Sequence, residues 1–276
     1  IYINNVYGLD RRVGELEVTM ECNPDDLTPD FVKNLQQLPV NRISIGVQTF
    51  NNQRLKFIKR RHNPEQVDKG IKLLRGAGIG NISIDLIYGF PEETMDEWHK
   101  DIDEALKLNV EHISAYALSY EEGTLLTRML NKGQIQEADE ETEREMYYYL
   151  KARLEQADYE HYEISNFARP GFRSRHNSSY WNHTHYIGLG AGAHSFNGNR
   201  RTWNVSDVKQ YISCIEDGIL PSDGEQLDSN DIYNEKIMTE LRTREGLRLA
   251  TLSQQELSYC LVLAKPFIDD HLLEKD

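Results

Sequence analysis

No apolar run in this sequence approaches the roughly 18 residues that a membrane-spanning helix needs, and its first residues carry no signal-peptide pattern. Cysteine is nearly absent. Cys22, Cys214 and Cys260 are far apart and odd in number, which excludes a disulfide framework and any cysteine-based metal motif. Basic residues are outnumbered, 31 against 45 acids, and the resulting net charge of −14 argues against general affinity for nucleic acid or anionic membrane. Lys56 to His62 is the clearest local basic stretch. These absences leave a soluble, cytoplasmic protein as the expectation. At 276 residues there is room for one large domain or two smaller ones. The sequence opens on Ile1 within a polar segment, so it reads as a fragment or a processed chain.

What is present is a regular alternation of elements. Ile82, Ile84, Leu86 and Tyr88 alternate with Ser83, Asp85 and Ile87, which predicts a strand with two unlike faces. A Gly-Phe-Pro turn ends it, and Thr94 with Glu97 opens a helix by a capping-box pattern. Similar strands are predicted at 16–21, 43–47 and 112–118. Helices are predicted after Thr28-Pro29 and Asn63-Pro64, and a charged amphipathic helix over 139–157. Four strands alternating with three helices at roughly 30-residue spacing indicate a parallel α/β sheet or barrel.

The polar faces of those strands carry the functional signal. Glu17, Thr19 and Glu21, then Ser44, Gly46 and Gln48, then Ser83 and Asp85, then Ser114 and Tyr116 form one set. If they point one way, the sheet has a polar concave side with Glu21 and Gln48 at strand C-terminal ends, where folds of this class bind ligands. An acid within an apolar strand is costly to bury without a partner, so Asp85 is a satisfied structural residue or part of a site.

The stretch from Tyr162 to Phe196 differs in composition. Four of the nine histidines, His176, His183, His185 and His194, stand there among aromatic residues. Two readings fit: a hydrogen-bonded core segment, or a surface for a flat ligand such as haem or a porphyrin, since imidazole ligates haem iron. Gly188-Leu189-Gly190 matches a loose dinucleotide fingerprint but has no buried strand before it. The last 80 residues read as a small, mainly helical domain with Ser206, Asn230 and Ser253 as N-caps and an apolar stripe of Ile237, Met238 and Leu241.

Several segments together resemble one family. They are Glu21-Cys22-Asn23-Pro24, Ser44-Ile45-Gly46-Val47-Gln48-Thr49-Phe50, Arg60-Arg61-His62 and Asp85-Leu86-Ile87-Tyr88-Gly89-Phe90-Pro91-Glu92-Glu93-Thr94. Further along come Glu121-Glu122-Gly123-Thr124, Tyr162-Glu163-Ile164-Ser165-Asn166-Phe167-Ala168, His176-Asn177-Ser178-Ser179-Tyr180-Trp181 and Gly188 to Ser195. The chain resembles the HemN/HemW group of radical S-adenosylmethionine (SAM) proteins. The His-Asn-x-x-Tyr-Trp element places it nearer the haem chaperones than the oxygen-independent coproporphyrinogen III oxidases.

The resemblance implies a partial (β/α)6 barrel over 1–196 and a C-terminal domain over 197–276. It also implies SAM contacts at Glu21, Gln48, Arg60, Asp85 and Ile87. The resemblance ties the element from His176 through Tyr180 to Trp181 to haem handling; His176 as the iron ligand is a further hypothesis, resting on its imidazole. The family's Cys-x3-Cys-x2-Cys loop for a [4Fe–4S] cluster and its Gly-Gly-Thr-Pro segment are not found in the sequence. The implied account is that roughly the first hundred residues of a parent protein are missing, about the length of a few βα units. The expected function of the parent is to bind haem and pass it to acceptor apoproteins, with transient contact to membrane haemoproteins among its partners. The alternative is radical decarboxylation of coproporphyrinogen III propionates. A chain that starts inside a barrel is also expected to dimerise through its exposed first strand.

Overall fold

The computed structural model describes residues 15–275, so the start of the barrel domain expected from residue 1 lies outside the described residues. The chain forms two compact units that divide between Arg175 and His176.

The first unit follows the predicted alternation. Strand β1 (Thr19–Cys22) leads to helix α1 (Pro29–Leu35), where Thr28 Oγ1 accepts the Phe31 N–H at 3.2 Å and Pro29 occupies the first turn. Strand β2 (Arg42–Gln48) is followed by the short α2 (Asn52–Phe57), which the apolar pattern did not mark because it spans less than two turns. Helix α3 (Pro64–Gly76) opens on a reciprocal capping box between Asn63 and Gln66. Strand β3 (Asn81–Tyr88) runs into the turn that precedes α4 (Met95–Lys107), capped by Thr94 and Glu97 as predicted. Strand β4 (His112–Ala117), α5 (Leu125–Asn131) and α6 (Glu140–Gln156) come next.

Two short strands then reverse direction. Strands β5 (Glu160–Glu163) and β6 (Asn166–Ala168) pair antiparallel, and β6 pairs antiparallel with β4, giving the sheet order β1-β2-β3-β4-β6-β5. β1 to β4 are parallel throughout. The architecture is the expected α/β sheet with its helices.

Those helices cover one face of the sheet. Ile43, Ile45, Val47, Ile82, Ile84 and Leu86 are fully buried and join Val67, Ile71 and Leu74 of α3, Trp98 and Ile102 of α4, and Met146, Leu150 and Leu154 of α6 in one core. Their apolar surface, lost to water, is the main term holding the unit together. The Trp98 indole N–H donates to the Met146 carbonyl at 3.0 Å, tying α4 to α6. Met146, Leu150 and Leu154 face the core as the 139–157 pattern required, while Tyr149 is half-buried and stacks on His99 at 3.8 Å between ring centres.

In the second unit, β7 (His194–Phe196), β8 (Arg200–Asn204) and β9 (Ser222–Gln226) form an antiparallel sheet. The helices are α7 (Arg175–Trp181, which crosses the division), α8 (Val208–Glu216), α9 (Ser229–Glu240) and α10 (Gln254–Asp269). Pairing of β7 with β8 runs the sheet across the 196/197 line drawn from the sequence, so the aromatic segment from His176 and the C-terminal residues share one unit. Ser253 caps α10 with Glu256, as expected. The other two caps differ. Asp207 caps α8, and Asp228 caps α9 by accepting the Asn230 and Asp231 N–H groups, so Asn230 is capped rather than capping. The Ile237, Met238 and Leu241 stripe is not sealed: Met238 is 65% exposed.

Candidate functional site

The face of the first sheet opposite the helices is polar, and register explains why. Cys22, Ile45, Ile84 and Ile113 stand level across four strands and point to the core side, as do the residues alternate to them. The intervening residues therefore share the other face. One row reads Glu21, Ser44, Ser83, His112; the next reads Gly46, Asp85, Ser114, Asn166. Asp85 accepts from the Ser44 hydroxyl at 3.3–3.4 Å and from Ser114. Burial pushes its carboxyl pKa up; those serines and Arg42 oppose the shift, and Glu21 adds to it. Both sequence readings of Asp85 thus have support: it has partners, and it stands in the middle of the polar face.

At the C-terminal end of β2 the ladder to β3 breaks between Gly46 and Gln48. Gln48 takes the left-handed conformation, φ 69°, which is uncommon for a residue with a side chain and concentrates at functional sites. The Val47 carbonyl accepts instead from the Thr49 N–H at 2.9 Å and lies 3.1 Å from buried His62 Nε2. The turn aims Gln48 at Arg60: a Cβ on Gly46 would sit 2.8 Å from Gln48 Nε2 and 3.1 Å from Arg60 Nη2. Arg60 also donates to Asn23 Oδ1 at 2.6 Å. Gly46, Gln48 and Arg60 are therefore one constellation, and Asp85 is the register partner of Gly46. Ile87, half-buried, is the apolar neighbour on the same face beside Tyr116, and Glu21 is exposed at the end of β1.

This arrangement can hold a zwitterion beside an apolar ring. The guanidinium can pair with a carboxylate, the Asp85 carboxylate can accept from hydroxyl or ammonium groups, and bare Gly46 allows close backbone approach. The residues present fit SAM in kind. They do not fit a [4Fe–4S] cluster: the cysteines lie singly on β1, α8 and α10, and no group of three or more metal-ligating side chains occurs among the described residues.

Behind these strand ends lies a second acidic pair. Asp101 of α4 accepts the Phe50 N–H at 3.0 Å, and Glu93 accepts the Phe90 N–H at 3.0 Å. Burial raises Glu93 to about 7 and Asp101 to about 6, outweighing those hydrogen bonds and Arg54. Both folded pKa values exceed the ordinary carboxyl range. The folded state therefore keeps protons that the unfolded chain releases between about pH 4 and 7, and stability falls as pH rises through that window. Glu93→Gln keeps the acceptor for Phe90 and removes the charge, while Arg54 retains Glu97 at 2.7 Å. It is expected to raise stability at pH 8 by on the order of 2 kcal/mol and to flatten the pH 5–8 dependence. Urea denaturation at the two pH values checks this; a loss of stability at pH 8 would refute it.

The residues expected to handle haem lie on the second unit and are not equivalent. His176 Nε2 and the Tyr180 hydroxyl are 3.2 Å apart, both side chains are exposed, and Tyr180 meets Tyr186, which in turn meets Phe196. Trp181 instead lies half-buried beneath the Arg242 guanidinium, 4.5 Å from its ring centre. His183 bonds Thr239 at 2.9 Å. Gly188 is required by the fold itself, because a Cβ there would meet the His194 carbonyl at 2.2 Å. Strand β7 rather than a helix comes after it, so this glycine run lacks the dinucleotide geometry.

Sequence reasoning passed over several residues of the polar face. His112 is fully buried, 2.7 Å from Ser83 Oγ by Nδ1 and 2.7 Å from the Tyr162 hydroxyl by Nε2. Tyr162 reaches it because the β5–β6 pairing bulges between His161 and Glu163, which no local pattern announces. Arg42 did have a signal: stepping the Gln48, Gly46, Ser44 alternation back by one places it on the polar face.

Comparison with known proteins bears on the whole chain. The model of the radical SAM superfamily matches residues 3–105. "Heme chaperone HemW" of Bacillus subtilis is 38% identical over 232 residues, covering 84% of this chain and 61% of that protein. "Heme chaperone HemW" of Mycobacterium tuberculosis H37Rv is 34% identical over 259 residues, covering 93% of this chain and 66% of that protein. The structure of coproporphyrinogen III oxidase (HemN) from Escherichia coli superposes with a TM-score of 0.78 at 22% identity, over 99% of this chain and 68% of that one, and supports the fold. The chain spans less than two thirds of the length of these curated relatives. With its motifs, its sheet and these relatives in agreement, the chain belongs to the radical SAM superfamily, within the HemN/HemW group and on its HemW side.

Proposed function

We propose that this chain is the haem-handling and SAM-binding part of a cytoplasmic haem chaperone, which takes up haem and passes it to acceptor apoproteins. The observation that carries this reading is similarity over most of the chain to proteins named as haem chaperones. SAM sits on Gln48, Arg60 and Asp85 with Glu21 and Ile87 beside it, and Arg60 takes the methionyl carboxylate. Haem lies against the exposed aromatic surface of the second unit, with His176 as its axial ligand and Tyr180 alongside. Trp181, held under Arg242, positions the α7 helix that carries both.

A haem titration of the chain, read in the Soret band beside His176→Ala, tests it. The expected result is saturable 1:1 binding, weakened by about 10–100-fold in the variant, since losing a ligand costs at least as much as losing the group that orients one. Equal affinities would remove His176 as the ligand. Conversion of coproporphyrinogen III to protoporphyrinogen by the full-length protein would overturn the chaperone reading.

A further inference from the structure

The end of the polar face remote from Gln48 holds an arrangement that neither SAM nor haem handling uses. Thr19, Arg42 and Asn81 stand in register on three adjacent parallel strands, about 4.8 Å apart from strand to strand. All three project to the polar face, because Met20, Ile43 and Ile82 beside them belong to the core. Arg42 is 3% exposed. Its Nε and Nη2, with Thr19 Oγ1 and Asn81 Oδ1, are buried and have no hydrogen-bond partner among the described residues.

A guanidinium stays charged in a protein, and burying it without a counter-charge costs several kcal/mol. Neighbours such as Asp85 and Tyr162 feel the Arg42 charge and offset part of that cost, but none bonds Nε or Nη2 among the described residues. His112 has both ring nitrogens engaged, and burial with the charge of Arg42 holds it neutral. Asp85 lies further up the face with its carboxylate on Ser44 and Ser114. Nε–H and Nη2–H lie on one edge of the guanidinium plane, parallel and spaced like the two oxygens of a carboxylate. Thr19 adds a hydroxyl donor. The Asn81 amide can turn to present Nδ2, since its two ends are assigned by their surroundings.

We propose that the Thr19–Arg42–Asn81 row is a binding site for a small carboxylate, held two-pronged by Arg42 and flanked by Thr19 and Asn81. Arg42 Nε and Nη2 have almost no accessible surface, so a carboxylate enters only as the Thr19 and Asn81 side chains shift, which restricts the ligand to a small one. The site is separate from the Arg60 constellation: it stands at the N-terminal ends of β1, β2 and β3, and Arg60 acts at the C-terminal end of β2.

The test uses acetate as the probe, against chloride at matched ionic strength, on the full chain and on Asn81→Asp. In the variant a carboxylate is built in beside Arg42. Acetate at ten times its Kd is expected to raise the melting temperature of the wild-type chain by roughly 2–4 °C over chloride. Asn81→Asp is expected to melt higher without acetate and to bind acetate at least about tenfold more weakly. Arg42→Met should lose the acetate response altogether; if that variant does not fold, the Asn81→Asp result decides alone. An equal acetate response in wild type and Asn81→Asp would overturn the proposal. So would the lack of an acetate-specific shift in the wild type, which would mean that water alone satisfies Arg42.

Discussion

Arg60→Ala is expected to lower the affinity of the chain for SAM by about 10–100-fold while moving its melting temperature by no more than a few degrees. The magnitude follows from the bond at stake, since a charge-assisted hydrogen bond to a carboxylate contributes about 1.5–3 kcal/mol. The mild effect on stability follows from position: Arg60 is half-buried, and its bond to Asn23 is the contact the fold loses. Arg60→Lys keeps the charge but not the fork and should fall between the two. Gly46→Ala offers an independent approach to the same atoms. Its Cβ would crowd the Gln48 amide and the Arg60 guanidinium, both flexible ends, so the backbone stands while both heads are displaced. Calorimetric titration with SAM measures all three. Equal affinity in wild type and Arg60→Ala would exclude Arg60 from the site, and no SAM binding by the wild-type chain would remove the SAM assignment.

Trp98→Ala is expected to destabilise the first unit by about 3–5 kcal/mol, with a fall in its melting temperature of roughly 10 °C or more. Trp98 is among the largest fully buried side chains, packs on Tyr88 with ring centres 5.3 Å apart, and bridges α4 to α6 through Met146. Truncation leaves a large cavity between two helices that are each anchored to the sheet, so neither can collapse freely into it. Trp98→Phe retains most of the volume and should cost under about 2 kcal/mol. Urea denaturation followed by circular dichroism separates the cases. A cost below about 1 kcal/mol for the alanine variant would show that the α4–α6 contact is not the structural keystone inferred from its burial.

Much of this was legible in the order of residues, for physical reasons that differ from element to element. Thr28, Asn63 and Thr94 announced their helices because a short side-chain oxygen before an apolar period does one thing well: it accepts the free N–H groups of the first turn. The polar face was legible because the side chains of a strand repeat every two residues, so Ser44, Gly46 and Ser83, Asp85 had to share a side once the core side was known. Asn230 misled because Asp228 two residues earlier is an equally good cap and captures the Asn230 N–H itself. What was hidden is what depends on distance. Tyr162 meets His112 across 50 residues through a bulge, and Gln48 turns left-handed because His62 and Thr49 attend to the Val47 carbonyl. Arg60 lies in a basic stretch that looks like solvated surface; the family pattern marked it, and the fold explains it through Gly46. Trp181 illustrates the converse, for its pairing with Arg242 joins residues far apart in the chain and leaves only His176 and Tyr180 on the surface.

The antiparallel β5–β6 hairpin gives the polar face a separable part. Its turn, Ile164 and Ser165, is two residues long, and Ile164 is exposed. The Ser165 carbonyl accepts the Ala115 N–H at 2.8 Å, and Asn166 lies level with Ser114, so the hairpin tip borders the face while entering it from the opposite direction. A change of length at this turn would alter what lines the face without shifting the register of the four parallel strands.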